Sequence, residues 1–245
     1  MLENPYAEAL IGLKFDDPVL AFFNFCRERE KIRINREKDI TGPWSKDPIF
    51  QSGRFLNVFR EDDRGSKSII KFCSGLEDNL TQLVHAVFFS RWCNKQETLD
   101  ELTYQDLSKI EILNARLLAK NNWCNLTAYP VEPIVWNNVE NNRLDTATFL
   151  FYNIKVIIKD ALLESKRNAT VATNKINKLL KMKNDFPIFM AVIDIAWFRP
   201  DIISPKSHVP TGIGAIAYLD ILQNHLQLKS HDETCDKMIL LQREY

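Results

Sequence analysis

Glycine is scarce in this chain: its 245 residues include only 7. An all-β sandwich needs many tight turns, so the scarcity argues against one. Cysteines are few as well. Cys26, Cys73, Cys93, Cys124 and Cys235 make five in all, and no two stand at C-x-x-C spacing. An odd number without paired spacing predicts neither a disulfide framework nor a structural zinc site, and fits reduced thiols in the cytoplasm. Excess charge is absent too, with 32 basic and 32 acidic side chains giving a formal net charge of zero. Any contact with nucleic acid must then come from local basic patches. No apolar run reaches membrane-spanning length, and Met1-Leu2-Glu3-Asn4-Pro5 lacks the pattern of a signal peptide. The expectation is a cytoplasmic protein with no membrane partner. G-x-S-x-G, P-loop, H-E-x-x-H and zinc-deaminase patterns are also missing.

What is present suits a helical protein. Apolar residues make up 45% and aromatics 11%, enough for a sizeable core, and the length suits one domain spanning 1–245. Asp17-Pro18 reads as N-cap and first helical residue of a helix running to about Lys38, stopped by Thr41-Gly42-Pro43. A second helical region is expected from Gln51 to about Cys73, and a third from Leu80 to Trp92. Thr103-Tyr104-Gln105-Asp106 resembles a capping box that opens a helix through Leu118. The polar stretch from Asn137 to Asn142 reads as a loop. Residues 146–158, rich in Thr, Phe, Tyr, Ile and Val, fit a short β element or a buried helix, and periodicity does not decide between them. Later helices are expected over 169–183, 186–198, 215–226 and 232–244. A glycine turn, Pro210-Thr211-Gly212-Ile213-Gly214, lies between the second and third of these and suggests a helix-hairpin-helix element over about 186–226.

Three features bear on chemistry. On a continuous helix, the segment from Arg54 to Arg64 places Arg54, Asn57, Arg60, Glu61 and Arg64 on one face, and Phe55, Val58 and Phe59 opposite, toward a core. Three guanidinium groups and an amide on one face can hold a phosphate or pyrophosphate through bidentate hydrogen bonds. The competing reading is a solvated face whose arginines are neutralised by Glu61 and Asp63. The glycine turn offers backbone N–H groups to a phosphate, through Gly212 and Gly214, or is an ordinary helix–helix connection. Lys166, Arg167, Lys175, Lys178, Lys181 and Lys183 form a basic stripe with no intervening acid, suited to tracking a DNA backbone. His225, His231 and Cys235 are close in sequence but lack a metal-binding spacing, so no metal site is expected.

The blocks Phe25-Cys26-Arg27-Glu28-Arg29-Glu30-Lys31-Ile32-Arg33, Gly42-Pro43-Trp44-Ser45-Lys46-Asp47-Pro48-Ile49 and Arg54 through Arg64 together resemble a known family. So do the stretch from Phe189 to Trp197 and the glycine turn. The family comprises phage-type alpha-glutamyl/putrescinyl thymine pyrophosphorylases, which are amino acid:DNA transferases, and the related helical domain of 5-hydroxymethyluracil DNA kinases. The resemblance implies a mostly α, single helical domain similar to helix-hairpin-helix DNA glycosylases. It implies double-stranded DNA carrying modified thymine as partner, an amino acid or polyamine as co-substrate, and a functional link to a hydroxymethyluracil DNA kinase. In such systems the kinase pyrophosphorylates a hydroxymethyluracil in DNA, and an amine then displaces the pyrophosphate.

Spacing, charge and the resemblance together suggest roles. Arg54, Arg60 and Arg64 would clamp the leaving group, with Asn57 orienting it or the base. Asp63 or Glu61 would bind the incoming ammonium and take its proton. Trp44 would stack on an everted base, or simply pack. Gly212, Gly214, Lys175 and Lys178 would hold the DNA. No cofactor is required, although a divalent ion on the pyrophosphate is compatible. Two rivals stand beside this reading. One is a glycosylase-like enzyme that excises the base, using a carboxylate such as Asp232 or Asp236. The other is a non-catalytic DNA-binding module that partners a kinase.

Overall fold

The computed structural model describes residues 16–52, 57–127, 131–207 and 213–245. The described part is mostly helical, with one small two-stranded sheet. Its contacts divide the chain into two units, one formed by residues 1–60 and 210–245 and the other by residues 61–209. The sequence suggests one domain over 1–245, whereas the contacts group the chain into these two units.

In the first unit, helix α1 (Pro18–Glu37) begins as the sequence predicts. The Asp17 carboxylate accepts hydrogen bonds from the Val19 and Leu20 amides at 2.9 and 3.0 Å, and Pro18 takes the position where a missing N–H costs nothing. Val19 and Phe23 on α1 pack with Leu222 and Met238 in a small core cluster. The ring of Phe23 stacks on Tyr245 at 4.8 Å between centroids, and the Tyr218 hydroxyl donates to the Pro18 carbonyl.

The second unit is built around one helix. To keep chain order, its longer helices are α2 (Arg64–Cys73), α3 (Leu80–Cys93), α4 (Ile110–Lys120), α5 (Phe151–Leu163), α6 (Ala169–Leu180) and α7 (Phe186–Phe198). Helices α8 (Ile213–Leu226) and α9 (His231–Leu241) belong to the first unit. Every residue of α3 from Leu83 to Cys93 is buried, because α2, α5 and α7 all pack against it. Trp92 meets Phe151 edge to face at 4.6 Å, and Phe88 meets the same ring at 5.3 Å. Asn79 caps the start of α3 by accepting from the Gln82 amide, and Asn94 ends it in a left-handed conformation with φ 43°.

One open alternative is decided and two expectations change. Residues 146–158 take the buried-helix alternative and contain no strand: a π-helical turn, Thr146–Leu150, runs directly into α5. The buried residues Ala147, Leu150, Phe151, Ile154 and Ile158 repeat at helical spacing, and packing on α3 outweighs their β propensity. The sheet lies earlier. β1 (Ile134–Trp136) pairs antiparallel with β2 (Val139–Asn141), where a loop was expected. Its two-residue turn, Asn137-Asn138, has φ of 49° and 63°, the double left-handed geometry of a tight hairpin turn that asparagine tolerates. Finally, the capping box at Thr103 is present, with its amide donating to Asp106 at 2.8 Å, but that helix ends at Leu107 and α4 starts afresh at Ile110.

Candidate functional site

The arginine-rich segment is not one helix. A short helix, Pro48–Ser52, ends before it. Residues 57–59 are irregular, Arg60–Asp62 form a single 3-10 turn, and α2 begins at Arg64. The cause is Asp63. Its backbone is extended, and its carboxylate accepts hydrogen bonds from the amides of Gly65 at 3.0 Å and Ser66 at 3.3 Å, which makes it the N-cap of a new helix. The continuous helix expected to carry the array is therefore broken among the described residues. Val58 and Phe59, expected toward a core, are exposed. Arg54 and Phe55 lie outside the described residues. Asn57 and Arg60 belong to the first unit, and Glu61, Asp63 and Arg64 to the second.

Arg64 is the part of that segment with a defined setting in the second unit. Its side chain is 77% exposed, yet it is held. The guanidinium donates through Nε to Gln96 Oε1 at 2.6 Å and through Nη2 to Glu97 Oε1 at 3.3 Å. Nearby, Lys71 Nζ donates to Asp100 Oδ1 at 2.7 Å. The Lys71 bond, with a smaller contribution from Gln96, holds the Asp100 carboxyl below the usual carboxylate range. Two separate polar links, Arg64 with Gln96 and Glu97 and Lys71 with Asp100, thus tie α2 to the short helix Gln96–Leu99 and the residue that follows it.

The Lys71–Asp100 pair borders a cavity of about 380 Å³. Lys71 and Asp100 line it, along with Phe72, Leu76, Leu99, Leu102 and Tyr104, and the hydroxyl-bearing Ser68, Ser74 and Thr103. The hydroxyls of Ser68 and Ser74 are turned back to the carbonyls of Arg64 and Ile70. Tyr104 is partly buried, which raises its phenol above the ordinary value. Behind it His85 is 1% exposed, with its ring edge-on to Tyr104 and to Tyr152. Burial, and next the Lys155 ammonium, push the His85 imidazole down to about 3, so it is neutral at pH 7. The sequence marks Thr103 and Tyr104 only as part of a capping box, and none of these cavity residues as functional.

The other predicted residues are distributed elsewhere. In the first unit, Trp44 donates from Nε1 to the Ile40 carbonyl, and the Arg36 guanidinium lies 5.5 Å from its ring centroid. On α6, Lys175 pairs with Glu164 at 2.7 Å, so the basic stripe is partly neutralised by an acid that precedes it, while Lys178 is exposed. Gly214 lies within α8, and Gly212 lies outside the described residues. The helices expected to flank the glycine turn, α7 and α8, fall in different units. Asp232 and Asp236 both lie on α9, where His231 pairs with Asp220 at 2.7 Å. All five cysteines are free thiols, and burial raises each above its ordinary value, which disfavours a nucleophilic thiolate. Among the described residues no three His, Cys, Asp or Glu side chains gather as a metal site would require, and no helix is long and apolar enough to cross a membrane.

The model of the family "5-hmdU DNA kinase, helical domain" matches residues 17–244. The chain belongs to this family. The match takes in both units, and so includes Trp44, Arg64, Lys71, Asp100 and the two lysines of α6. No curated protein and no solved structure matches the chain. Membership in the 5-hmdU DNA kinase helical-domain family agrees with the second of the two related groups that the sequence resembles.

Proposed function

We propose that this chain acts on DNA whose thymines carry a 5-hydroxymethyl-derived modification, and that it transfers an amine or amino acid onto an activated base with release of pyrophosphate. The observation that supports it most is the family match over residues 17–244, because that family is described by a domain of an enzyme working on 5-hmdU in DNA. In the reaction the amine nitrogen attacks the exocyclic methylene of the pyrophosphorylated base. The bond from that carbon to the diphosphate oxygen breaks, and pyrophosphate leaves with the electron pair. The nitrogen then gives up a proton to a carboxylate or to water.

Arg64 suits the leaving group. It is exposed, always charged, and positioned by Gln96 and Glu97 on a helix anchored to the core. Asp63 is already engaged as a helix cap, so Glu61 is the better of the two acids proposed for the incoming ammonium. Alanine substitutions test separately whether Arg54, Asn57 and Arg60 assist the clamp. Trp44 remains the candidate for stacking on an everted base, and Lys175, Lys178, Gly212 and Gly214 for holding the DNA backbone. A divalent ion, if used, would arrive with the diphosphate.

A second reading, a DNA-binding module that partners a kinase, is favoured by the family being described by a kinase's helical domain. One experiment separates the two. Pyrophosphorylated hydroxymethyluracil DNA is incubated with the protein and a panel of amino acids and polyamines, and the nucleosides are read by mass spectrometry. A new nucleoside with released pyrophosphate is expected. Unchanged nucleosides would replace the transferase with the binding module, and a free base would replace it with a base-excising enzyme.

A further inference from the structure

The cavity of the second unit is lined both by apolar side chains, Phe72, Leu76, Leu99 and Tyr104, and by a single cation and a single anion, Lys71 and Asp100, 2.7 Å apart. Its volume of about 380 Å³ lies near the lower end of the roughly 300–1,000 Å³ range of small-molecule pockets. An exposed ion pair contributes little to stability, so its members exchange partners at small cost.

A ligand matched to this site carries one positive and one negative group on neighbouring atoms, with an uncharged remainder. An α-amino acid has that arrangement: its carboxylate accepts from Lys71, its ammonium donates to Asp100, and all four charges are then paired. A polyamine fits worse. One ammonium can meet Asp100, but Lys71 repels it and finds no carboxylate. We propose that this cavity binds a free α-amino acid with an uncharged side chain, its carboxylate on Lys71 and its ammonium on Asp100. As the place of a co-substrate it rests on the transferase reading above; as a binding site it does not.

The test uses the intact protein without DNA. Glycine, serine and leucine are titrated by calorimetry, beside putrescine and the methyl ester and N-acetyl derivatives of leucine. Saturable binding of at least one neutral amino acid is expected, with a loss of about tenfold or more for putrescine and for either blocked derivative. Lys71→Met and Asp100→Asn should each lose about tenfold while melting at the wild-type temperature. Absence of binding at concentrations on the order of 10 mM overturns the proposal, as does unchanged affinity in the folded Asp100→Asn protein. Nucleoside analysis keeps the two ideas apart. Amino acid binding without transfer leaves the site standing and removes the reaction. Transfer unaffected by Lys71→Met keeps the reaction and removes the site.

Discussion

The two units of this protein use their central helices in opposite ways. In the second unit α3 is buried on all sides from Leu83 to Cys93 and has no solvent face at all. In the first unit α1 buries Val19, Phe23, Arg29 and Ile32 at separate positions around its axis and exposes charged residues together with Leu20, Phe25 and Ile34, with Arg33 paired to both Glu30 and Glu37. A helix enclosed by neighbours fixes the positions of everything packed on it. A helix that shows most of its surface to water gains less from burial and more from local pairs worth a few tenths of a kcal/mol each. The site elements α2 and Gln96–Leu99 both pack with the enclosed helix, so Arg64, Lys71 and Asp100 stand on a rigid frame. Trp44, by contrast, is braced by one backbone carbonyl and one arginine.

The largest expected effect breaks that contrast at its centre. Arg91 of α3 and Asp194 of α7 form a buried ion pair, 3% and 0% exposed, with Arg91 also donating to the Ser66 hydroxyl at the start of α2. Asp194→Ala leaves a buried guanidinium without its counter-charge and should cost about 3–5 kcal/mol. Denaturant titration measures the loss, and hydrogen exchange locates it. Protection should fall in α3 and α7 and persist in α1. Equal loss in both units would mean that they do not unfold separately. Replacing both partners together, with Arg91→Met and Asp194→Leu, should recover most of the stability, since the pair's charges then no longer need each other.

A smaller effect, on the same enclosed helix, depends on pH. The His85 imidazole falls from an ordinary value of 6.5 to about 3 in the folded protein, through burial first and Lys155 second. Above pH 6.5 neither state binds the proton, so His85 makes stability independent of pH there. Below it the unfolded chain takes up a proton that the folded one refuses. Stability then drops as pH falls, by about 2 kcal/mol at pH 5. Denaturant midpoints at pH 7, 6 and 5 check this, with His85→Leu as control. A variant that keeps the full acid slope would show that other groups produce it.

The same contrast explains what was legible in the sequence. The start of α1 was readable because Asp17-Pro18 is a local signal whose physics is complete within three residues. The mostly helical class was readable from composition. The helix break at Asp63 was a local signal too, but the arginine spacing on either side suggested a continuous helix, and the capping propensity of the aspartate won. The hairpin was hidden because Asn137-Asn138 lacks the glycine that usually marks such a turn. Residues 146–158 were ambiguous because burial on α3 removes the polar face from which a helical period is read. The cavity could not be foreseen at all. Lys71 and Asp100 are 29 residues apart, and only the packing of α2 beside Gln96–Leu99 joins them.

The smallest expected change in stability tests where the chemistry resides. Arg64 is exposed and its partners Gln96 and Glu97 lie at the surface of the same unit, so Arg64→Ala should alter stability by no more than about 1 kcal/mol. Under the proposed reaction its effect on turnover is far larger. A positioned donor to developing charge is worth about 10²–10³ in rate, and Arg64→Lys, which keeps the charge but loses the bidentate fork, should recover only part of it. Pyrophosphate release from activated DNA measures both variants against the parent protein. The Trp44→Ala protein provides the comparison from the first unit, where loss of stacking should weaken substrate binding more than it slows the bound reaction. If Arg64→Ala turns over at the parental rate, the leaving group is held by other residues, and the rigid frame of the second unit does not carry the clamp.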